Sequence, residues 1–274
     1  MSTYRGSRNC NIASRRNIVF GGAAVRSVLP LLPTMPATAE TGSAARQSYR
    51  REGMRLFLAA LLLTCTLAGP AKAQSAPSQG SKPTIVLVHG AFADSSSWNG
   101  VIDELSRDGY PVVAAAVPLR SLEGDAQYVS SLVAGISGPV VLVGHSYGGG
   151  VISIAAADQP SVKALVFVAG FAPDIGESAA SLGARFPTGT LGPTLAPPVK
   201  LADGNADLYI MQARYHDQFA ADVSEAEATR MAVAQRPIAQ SALGEPAKAQ
   251  SWRKLPSWFV WGSQIGRASC RERV

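Results

Sequence analysis

The sequence VVLVGHSYGGG occupies residues 140–150 and joins an unbroken apolar run to a turn of small residues. Its first four residues predict a strand that is buried on both faces, as in a parallel sheet covered by helices. Gly144, Ser146 and Gly148 form a G-x-S-x-G pattern, and the glycines after them open a predicted helix. This succession predicts a sharp turn that exposes the Ser146 hydroxyl above the sheet, with glycines on either side to avoid a clash.

A second motif, HGAF at residues 89–92, follows another predicted strand. Its glycine, Gly90, allows the loop backbone to approach the serine. We therefore predict an oxyanion hole, in which the N–H groups of Ala91 and Tyr147 stabilise the negative charge of a tetrahedral intermediate. Phe92 is the alternative to Ala91 as the first donor. The two motifs together predict that the serine is a nucleophile.

Apolar runs alternate with helical patterns from residue 84 onward. This alternation predicts an α/β fold, with a mostly parallel sheet flanked by helices. Strands are predicted over residues 84–88, 112–117, 140–143, 164–168 and 258–261, and helices over residues 97–108, 125–136, 149–158 and 225–235.

The alternation breaks between about residues 171 and 256, where a Pro-rich stretch precedes a helical one. The stretch is too long for a simple loop, which predicts a small cap inserted over the active site. Phe92, Phe171, Tyr209 and Met211 are the candidate residues of a substrate pocket. The alternative is that such apolar residues only pack the cap onto the sheet.

The motifs LVHGA at residues 87–91, VGHSYGG at 143–149 and FAPDIGE at 171–177, together with Trp98, resemble the α/β-hydrolase family. More narrowly, they resemble the branch that holds small methyl esterases and hydroxynitrile lyases, and the resemblance covers about residues 83–264. It implies the α/β-hydrolase fold, a small-molecule ester as substrate and no cofactor. It also implies a catalytic triad whose members follow in the order serine, acid, histidine.

The histidine of such a triad has no counterpart here, since the three histidines are His89, His145 and His216. We predict structural roles for the first two and a place in the cap for the third. The resemblance implies an acid about four residues past Trp261, where this sequence has Ile265 instead. Asp174 is the candidate substitute, with a turn or helix-cap role as the alternative. We therefore expect a fold truncated before its last strand and helix, and a chain that is inactive as it stands.

Two other functions fit the same motifs. The resemblance implies that a hydroxynitrile lyase would carry threonine at the position of Gly90 and would need a lysine beyond the matching region. Gly90 and the GHS sequence at residues 144–146 favour an esterase over this lyase. A chain without a base also fits a catalytically dead hydrolase-fold protein that binds a ligand or a partner.

The two ends of the chain differ from its centre. Residues 54–73 combine a basic start, an apolar run and an A-x-A ending, which is typical of the signal peptide of a periplasmic or secreted protein. Residues 1–53 are interpreted as an over-extended leader, with a transit-type leader as the alternative. Residues 74–83 are predicted to be a linker, residues 84–264 the hydrolase domain, and residues 265–274 a foreign tail.

The net charge of +6 comes from the ends of the chain. Residues 1–73 carry 10 basic and 2 acidic side chains, and residues 265–274 carry 3 and 1. The other 12 basic and 16 acidic side chains give residues 74–264 a net charge of −4, which argues against a nucleic-acid partner. No metal is predicted, because no Cys or His pair has ligand spacing, and no span is predicted in the mature chain.

Overall fold

The described residues form eight strands in two sheets. A computed structural model describes residues 82–185 and 189–260 of the chain. The strands are β1 (Thr84–Val88), β2 (Val112–Ala115), β3 (Val140–His145), β4 (Val162–Val168), β5 (Val199–Lys200), β6 (Ala206–Leu208), β7 (Ile238–Ala239) and β8 (Ser257–Val260). One sheet has the order β2-β1-β3-β4-β8, and each neighbouring pair is parallel. The predicted parallel sheet is confirmed.

Alternate residues of the central strands face opposite sides of this sheet. In β1, Val86 and Val88 belong to one apolar cluster, whereas Ile85 and Leu87 belong to the other. All four are fully buried. An apolar side chain is therefore favourable at every position of such a strand, which explains the unbroken apolar runs in the sequence.

Three helices connect the first four parallel strands. They are α1 (Asn99–Arg107), α2 (Leu122–Ala134) and α3 (Tyr147–Ala155), and each overlaps a predicted helix. Helix α2 begins at Leu122 rather than at residue 125 because Ser121 caps it. The Ser121 side chain accepts a hydrogen bond from the Gly124 N–H at 3.0 Å, which satisfies one of the free donors of the first turn.

Residues 171–256, between β4 and β8, are called the cap segment here. It contains α4 (Ala179–Ala184), α5 (Gln212–Phe219), α6 (Glu225–Ala234) and α7 (Gln240–Gly244). It also contains a small antiparallel sheet of order β5-β6-β7. The sequence predicts α6 but not this sheet, because strands of two or three residues are too short to show an alternating pattern.

The cap segment is joined to the loop that follows β2. The Ala239 N–H donates to the Leu119 carbonyl at 2.9 Å. Arg120 forms an ion pair with Asp207 and donates a second hydrogen bond to the Pro237 carbonyl at 2.7 Å. These contacts hold the cap segment at the edge of the sheet where its parallel strands end, which is the usual place for a site in such sheets.

Several predicted regions lie outside the described residues. They are the leader 1–53, the signal peptide 54–73, most of the linker 74–83, and the tail 265–274. The last residue of the predicted final strand, Trp261, lies outside as well. In the part of the chain that is described, no helix is long and apolar enough to cross a bilayer.

Candidate active site

Ser146 forms the whole connection between β3 and α3. Its φ of 52° and ψ of −121° are values that a residue with a side chain adopts only when the surrounding structure enforces them. Strand β3 ends at His145 and α3 begins at Tyr147, so the turn is as sharp as one residue allows. The residue is half-buried. This is the geometry of a nucleophile elbow.

Close backbone packing accounts for the glycines of the elbow. A Cβ on Gly144 would lie 2.5 Å from the Gly148 carbonyl oxygen, and a Cβ on Gly148 would lie 2.5 Å from the Val88 carbonyl oxygen. Atoms overlap at such distances. A Cβ on Gly149 would overlap the Phe171 carbonyl oxygen, so a third glycine is needed that the G-x-S-x-G pattern does not indicate.

The HGAF loop after β1 lies against the serine. A Cβ on Gly90 would lie 2.8 Å from Ser146 Cβ, so only glycine permits this approach. Ala91 and Phe92 are buried, and Phe92 has a positive φ of 61°. Among the described residues, the N–H groups of Ala91, Phe92 and Tyr147 find no hydrogen-bond acceptor. Buried N–H groups are rarely left in this state, which makes these three the available donors for an oxyanion.

The backbone of the elbow is held from two sides. The Ser146 carbonyl accepts hydrogen bonds from the N–H groups of Gly149 and Phe171, both at 3.0 Å. The Ser146 N–H donates to the Val168 carbonyl at 3.4 Å. Phe171, predicted from the sequence to line the pocket, therefore supports the turn through its main chain.

A buried carboxylate anchors the side chain of Tyr147. The Tyr147 hydroxyl donates to Asp125 at 2.8 Å, and the same carboxylate accepts from the N–H groups of Leu119 and Arg120 at 3.1 and 3.4 Å. Burial raises the pKa of the Asp125 carboxyl, while these hydrogen bonds act to lower it. Burial and the nearby carboxylate raise the pKa of Tyr147. The sequence does not reveal this role, because an acid in the first turn of a helix is ordinary.

His89 is buried beneath the HGAF loop, where both of its ring nitrogens have partners. Nε2 accepts a hydrogen bond from the Val117 N–H at 3.2 Å, and Nδ1 lies 3.0 Å from the Gly90 carbonyl oxygen. Burial lowers the pKa of His89, which favours the neutral ring with its proton on Nδ1. The bond to Val117 also explains why β2 ends at Ala115, two residues before its predicted end.

The other two histidines are also engaged elsewhere. The His145 ring meets the Trp98 ring edge-on, with 6.4 Å between centroids, and burial lowers the pKa of His145 to about 4. His216, in α5, has Nε2 3.1 Å from the Val223 carbonyl oxygen. Ser146 Oγ forms no hydrogen bond with any described residue. None of the three histidines is therefore in contact to accept its proton.

Asp174, the candidate acid, forms an ion pair with Arg253. Its two carboxylate oxygens accept hydrogen bonds from Arg253 at 2.7 and 2.8 Å. Its backbone carbonyl accepts a hydrogen bond from the Glu177 N–H at 2.9 Å, which closes a turn. These contacts favour the turn role over that of a triad acid.

The remaining pocket candidates lie in different parts of the fold. The Phe92 side chain packs edge-on against Phe219 of α5, with 6.2 Å between the ring centroids. Tyr209 follows β6, and its carbonyl accepts a hydrogen bond from the Ala196 N–H at 2.8 Å. Met211 precedes α5 and is 36% exposed. Within residues 82–185 and 189–260, no group of His, Cys, Asp and Glu could hold a metal ion.

The chain belongs to the alpha/beta hydrolase family, whose sequence pattern matches residues 85–268. The match includes both the serine elbow and the HGAF loop. No functionally curated protein matches the chain significantly.

Solved structures of the same fold share low sequence identity with the chain. An extracellular alpha/beta-hydrolase from a Paenibacillus species is 21% identical, with a TM-score of 0.56 over 70% of this chain and 87% of that one. Tomato methylketone synthase I is 18% identical, with a TM-score of 0.57 over 69% and 81%. Polyneuridine aldehyde esterase is 16% identical, with a TM-score of 0.57 over 66% and 80%. At these identities the likeness establishes the fold.

Proposed function

We propose that the chain is a serine hydrolase that cleaves a small carboxylic ester. The observation that carries the proposal is the strained turn at Ser146, beside the N–H groups of Ala91, Phe92 and Tyr147, which have no acceptor among the described residues. The name of one similar structure, an esterase, supports an ester substrate, and the name of another, an extracellular hydrolase, supports hydrolysis. The fold alone would not suffice, since a methylketone synthase also has it.

In the proposed reaction, Ser146 Oγ attacks the carbonyl carbon of the ester. The carbonyl oxygen becomes an oxyanion, which the N–H groups of Ala91 and Tyr147 stabilise. The C–O bond to the alcohol then breaks, and the alcohol leaves with the proton that the serine gave up. Water attacks the acyl-enzyme in the same way, releasing the carboxylic acid and restoring the serine. Loss of one such donor typically lowers the rate about 10²- to 10³-fold.

Removal of the Ser146 proton is the step of this reaction that the described residues assist least. No histidine forms a hydrogen bond with the hydroxyl, and a serine without an aligned base is a weak nucleophile. Binding and the oxyanion hole alone leave about 10³- to 10⁴-fold catalysis over water. A base supplied from solution should therefore accelerate the reaction.

The experiment that tests the function measures hydrolysis of p-nitrophenyl esters of graded acyl length by the full chain, with and without imidazole. We expect turnover that saturates with ester concentration, rises with imidazole, and is fastest for short acyl groups. The Ser146→Ala variant, measured in the same buffers, gives the rate of hydrolysis by imidazole itself. Equal rates for both proteins at every imidazole concentration would contradict the proposal, and ester binding without turnover would support a binding protein instead.

The lyase alternative is disfavoured by the packing at Gly90. A Cβ at this position would lie 2.8 Å from Ser146 Cβ and 2.9 Å from the His145 carbonyl oxygen. The threonine that the lyase relatives carry here would therefore need a different path for the loop. This supports ester hydrolysis over cleavage of a cyanohydrin.

We also propose that the protein acts outside the cytoplasm. The apolar run and A-x-A ending of residues 54–73 carry this proposal, and the similar extracellular hydrolase supports it. Expressed in a bacterium, the exported protein should begin at Gln74 or within one or two residues of it. Intact-protein mass spectrometry of the periplasmic fraction measures this, and a protein that keeps Met1 and stays in the cytoplasm would refute it.

A further inference from the structure

Helix α5 of the cap segment contacts the HGAF loop at two points. The Tyr215 hydroxyl donates a hydrogen bond to the Phe92 carbonyl at 2.9 Å, across 123 positions of sequence. The Phe219 ring, one turn along α5, meets the Phe92 ring edge-on at 6.2 Å between centroids. The Tyr215 and Phe219 rings also contact each other, with 5.0 Å between centroids. One residue of the loop is thus held by its main chain and by its side chain.

The hydrogen bond from Tyr215 is buried, and the Tyr215 hydroxyl is always its donor. Tyr215 is 1% exposed and Phe92 is 3% exposed, so water does not compete for the carbonyl. Burial and the Asp94 carboxylate raise the pKa of Tyr215, so the hydroxyl stays protonated and acts as the donor. A buried carbonyl that lost this donor would be left without a partner.

The conformation of Phe92 needs such support. Its φ of 61° lies in the left-handed region, which a residue with a bulky side chain avoids unless its surroundings enforce it. If the carbonyl of Phe92 were released, the residue could relax toward a negative φ. That rotation would move the N–H groups of Ala91 and Phe92. These two residues directly follow Gly90, which lies against Ser146.

We propose that Tyr215 is a positioning residue that holds the oxyanion loop in its working geometry through the Phe92 carbonyl. The inference rests on the proposed ester hydrolysis and extends it, because it makes the cap segment part of the machinery that stabilises the transition state. A displacement of α5 would then weaken the oxyanion hole.

The test compares Tyr215→Phe with a control, Tyr128→Phe, in the full chain. Tyr215→Phe keeps the buried ring and removes only the donor, whereas Tyr128 on α2 is 39% exposed and its hydroxyl has no hydrogen-bond partner among the described residues. We expect kcat for the best p-nitrophenyl ester, measured in imidazole, to fall about tenfold with KM within twofold. This is below the loss of about 10²-fold that a displacement of about 1 Å produces. The control should match the unmodified protein.

Hydrogen exchange provides a second readout that needs no turnover. In Tyr215→Phe, the amides of Ser97 and Val117, which donate hydrogen bonds to Asp94 and His89 on either side of the loop, should exchange faster, while those of β3 should keep their protection. An unchanged kcat, a fall in kcat matched by an equal rise in KM, or unchanged exchange at Ser97 and Val117 would overturn the inference. Faster exchange throughout β3 would also overturn it, because it would indicate a general loss of stability. If the unmodified protein has no turnover, the proposed function fails and the exchange result alone decides the role of Tyr215.

Discussion

In the presence of imidazole, which supplies a base, replacement of Ser146 by alanine is expected to abolish covalent labelling by a fluorophosphonate probe. Such a probe phosphonylates an activated serine hydroxyl, and Ser146 is the serine that stands in the strained turn beside the unbonded N–H groups of the HGAF loop. The oxyanion hole that stabilises a carboxyl intermediate also stabilises the anionic adduct of the probe. Labelling is measured by mass spectrometry of the intact protein and of the peptide that carries residue 146.

The effect of this substitution on turnover should depend on imidazole. When residues act as one catalytic unit, the effects of removing them on the rate are not additive. Removal of the serine therefore has little further effect on turnover while no base is aligned with it. In imidazole, the same substitution should remove the whole of the accelerated, saturable rate. The expected result is therefore a small difference between the two proteins in plain buffer and a large one in imidazole.

Ser153→Ala is the matched control for the labelling. Ser153 lies on α3, two turns beyond the elbow, and its hydroxyl is buried without a hydrogen-bond partner among the described residues. Removal of an unsatisfied buried hydroxyl should leave the fold intact or make it slightly more stable. Labelling should persist in this variant. Labelling that survives in Ser146→Ala would refute the assignment of the nucleophile.

Replacement of Gly148 by alanine is expected to unfold the protein or to lower its stability severely. The added Cβ would lie 2.5 Å from the Val88 carbonyl oxygen and 2.7 Å from the His89 carbonyl oxygen. Both are main-chain atoms at the end of β1, and β1 is paired with β2 and β3, so neither can move away cheaply. Alanine in a helix gains about 1 kcal/mol over glycine, but a clash of this kind costs about 4 kcal/mol or more.

Gly183→Ala provides the comparison for Gly148→Ala. Gly183 is also helical, in α4, but a Cβ there would meet no described atom within 4 Å apart from its chain neighbours and the backbone of its own helix. This variant should gain about 0.5–1 kcal/mol from the lower entropy of its unfolded chain. Urea unfolding of both variants measures the difference in the free energy of unfolding. A Gly148→Ala protein as stable as the original would show that the elbow does not pack against β1 in this way.

Local sequence patterns were sufficient to predict the sheet and the elbow. An apolar run followed by G-x-S-x-G places a strand, a turn and a helix within eleven residues, all of which are neighbours along the chain. The strands of the parallel sheet were predicted for the same reason, since burial on both faces leaves an unbroken apolar run. Where the boundaries differ, a long-range contact intervenes, as the bond from Val117 to His89 does at the end of β2.

The candidate site was predicted only in part. The sequence indicates Ser146 and the loop at Gly90, because glycines mark the two close approaches. It does not indicate that Asp125 anchors Tyr147, because nothing in the local sequence distinguishes this acid from one that only caps a helix. The sequence leaves two roles open for Asp174, and its ion pair with Arg253, which favours the turn role, joins residues 79 positions apart in the chain.

By itself, the sequence determined the class of fold, singled out Ser146 as the proposed nucleophile and indicated the glycines around it, because each depends on residues within one strand, turn or helix. Only the tertiary structure decided which side chains support that turn and that loop. Tyr215 reaches Phe92 across 123 positions of sequence. Such a contact leaves no local pattern, because a tyrosine in a helix of the cap segment looks the same whether its hydroxyl meets water or a buried carbonyl. Its partner is set by how the cap segment packs against the ends of the parallel strands.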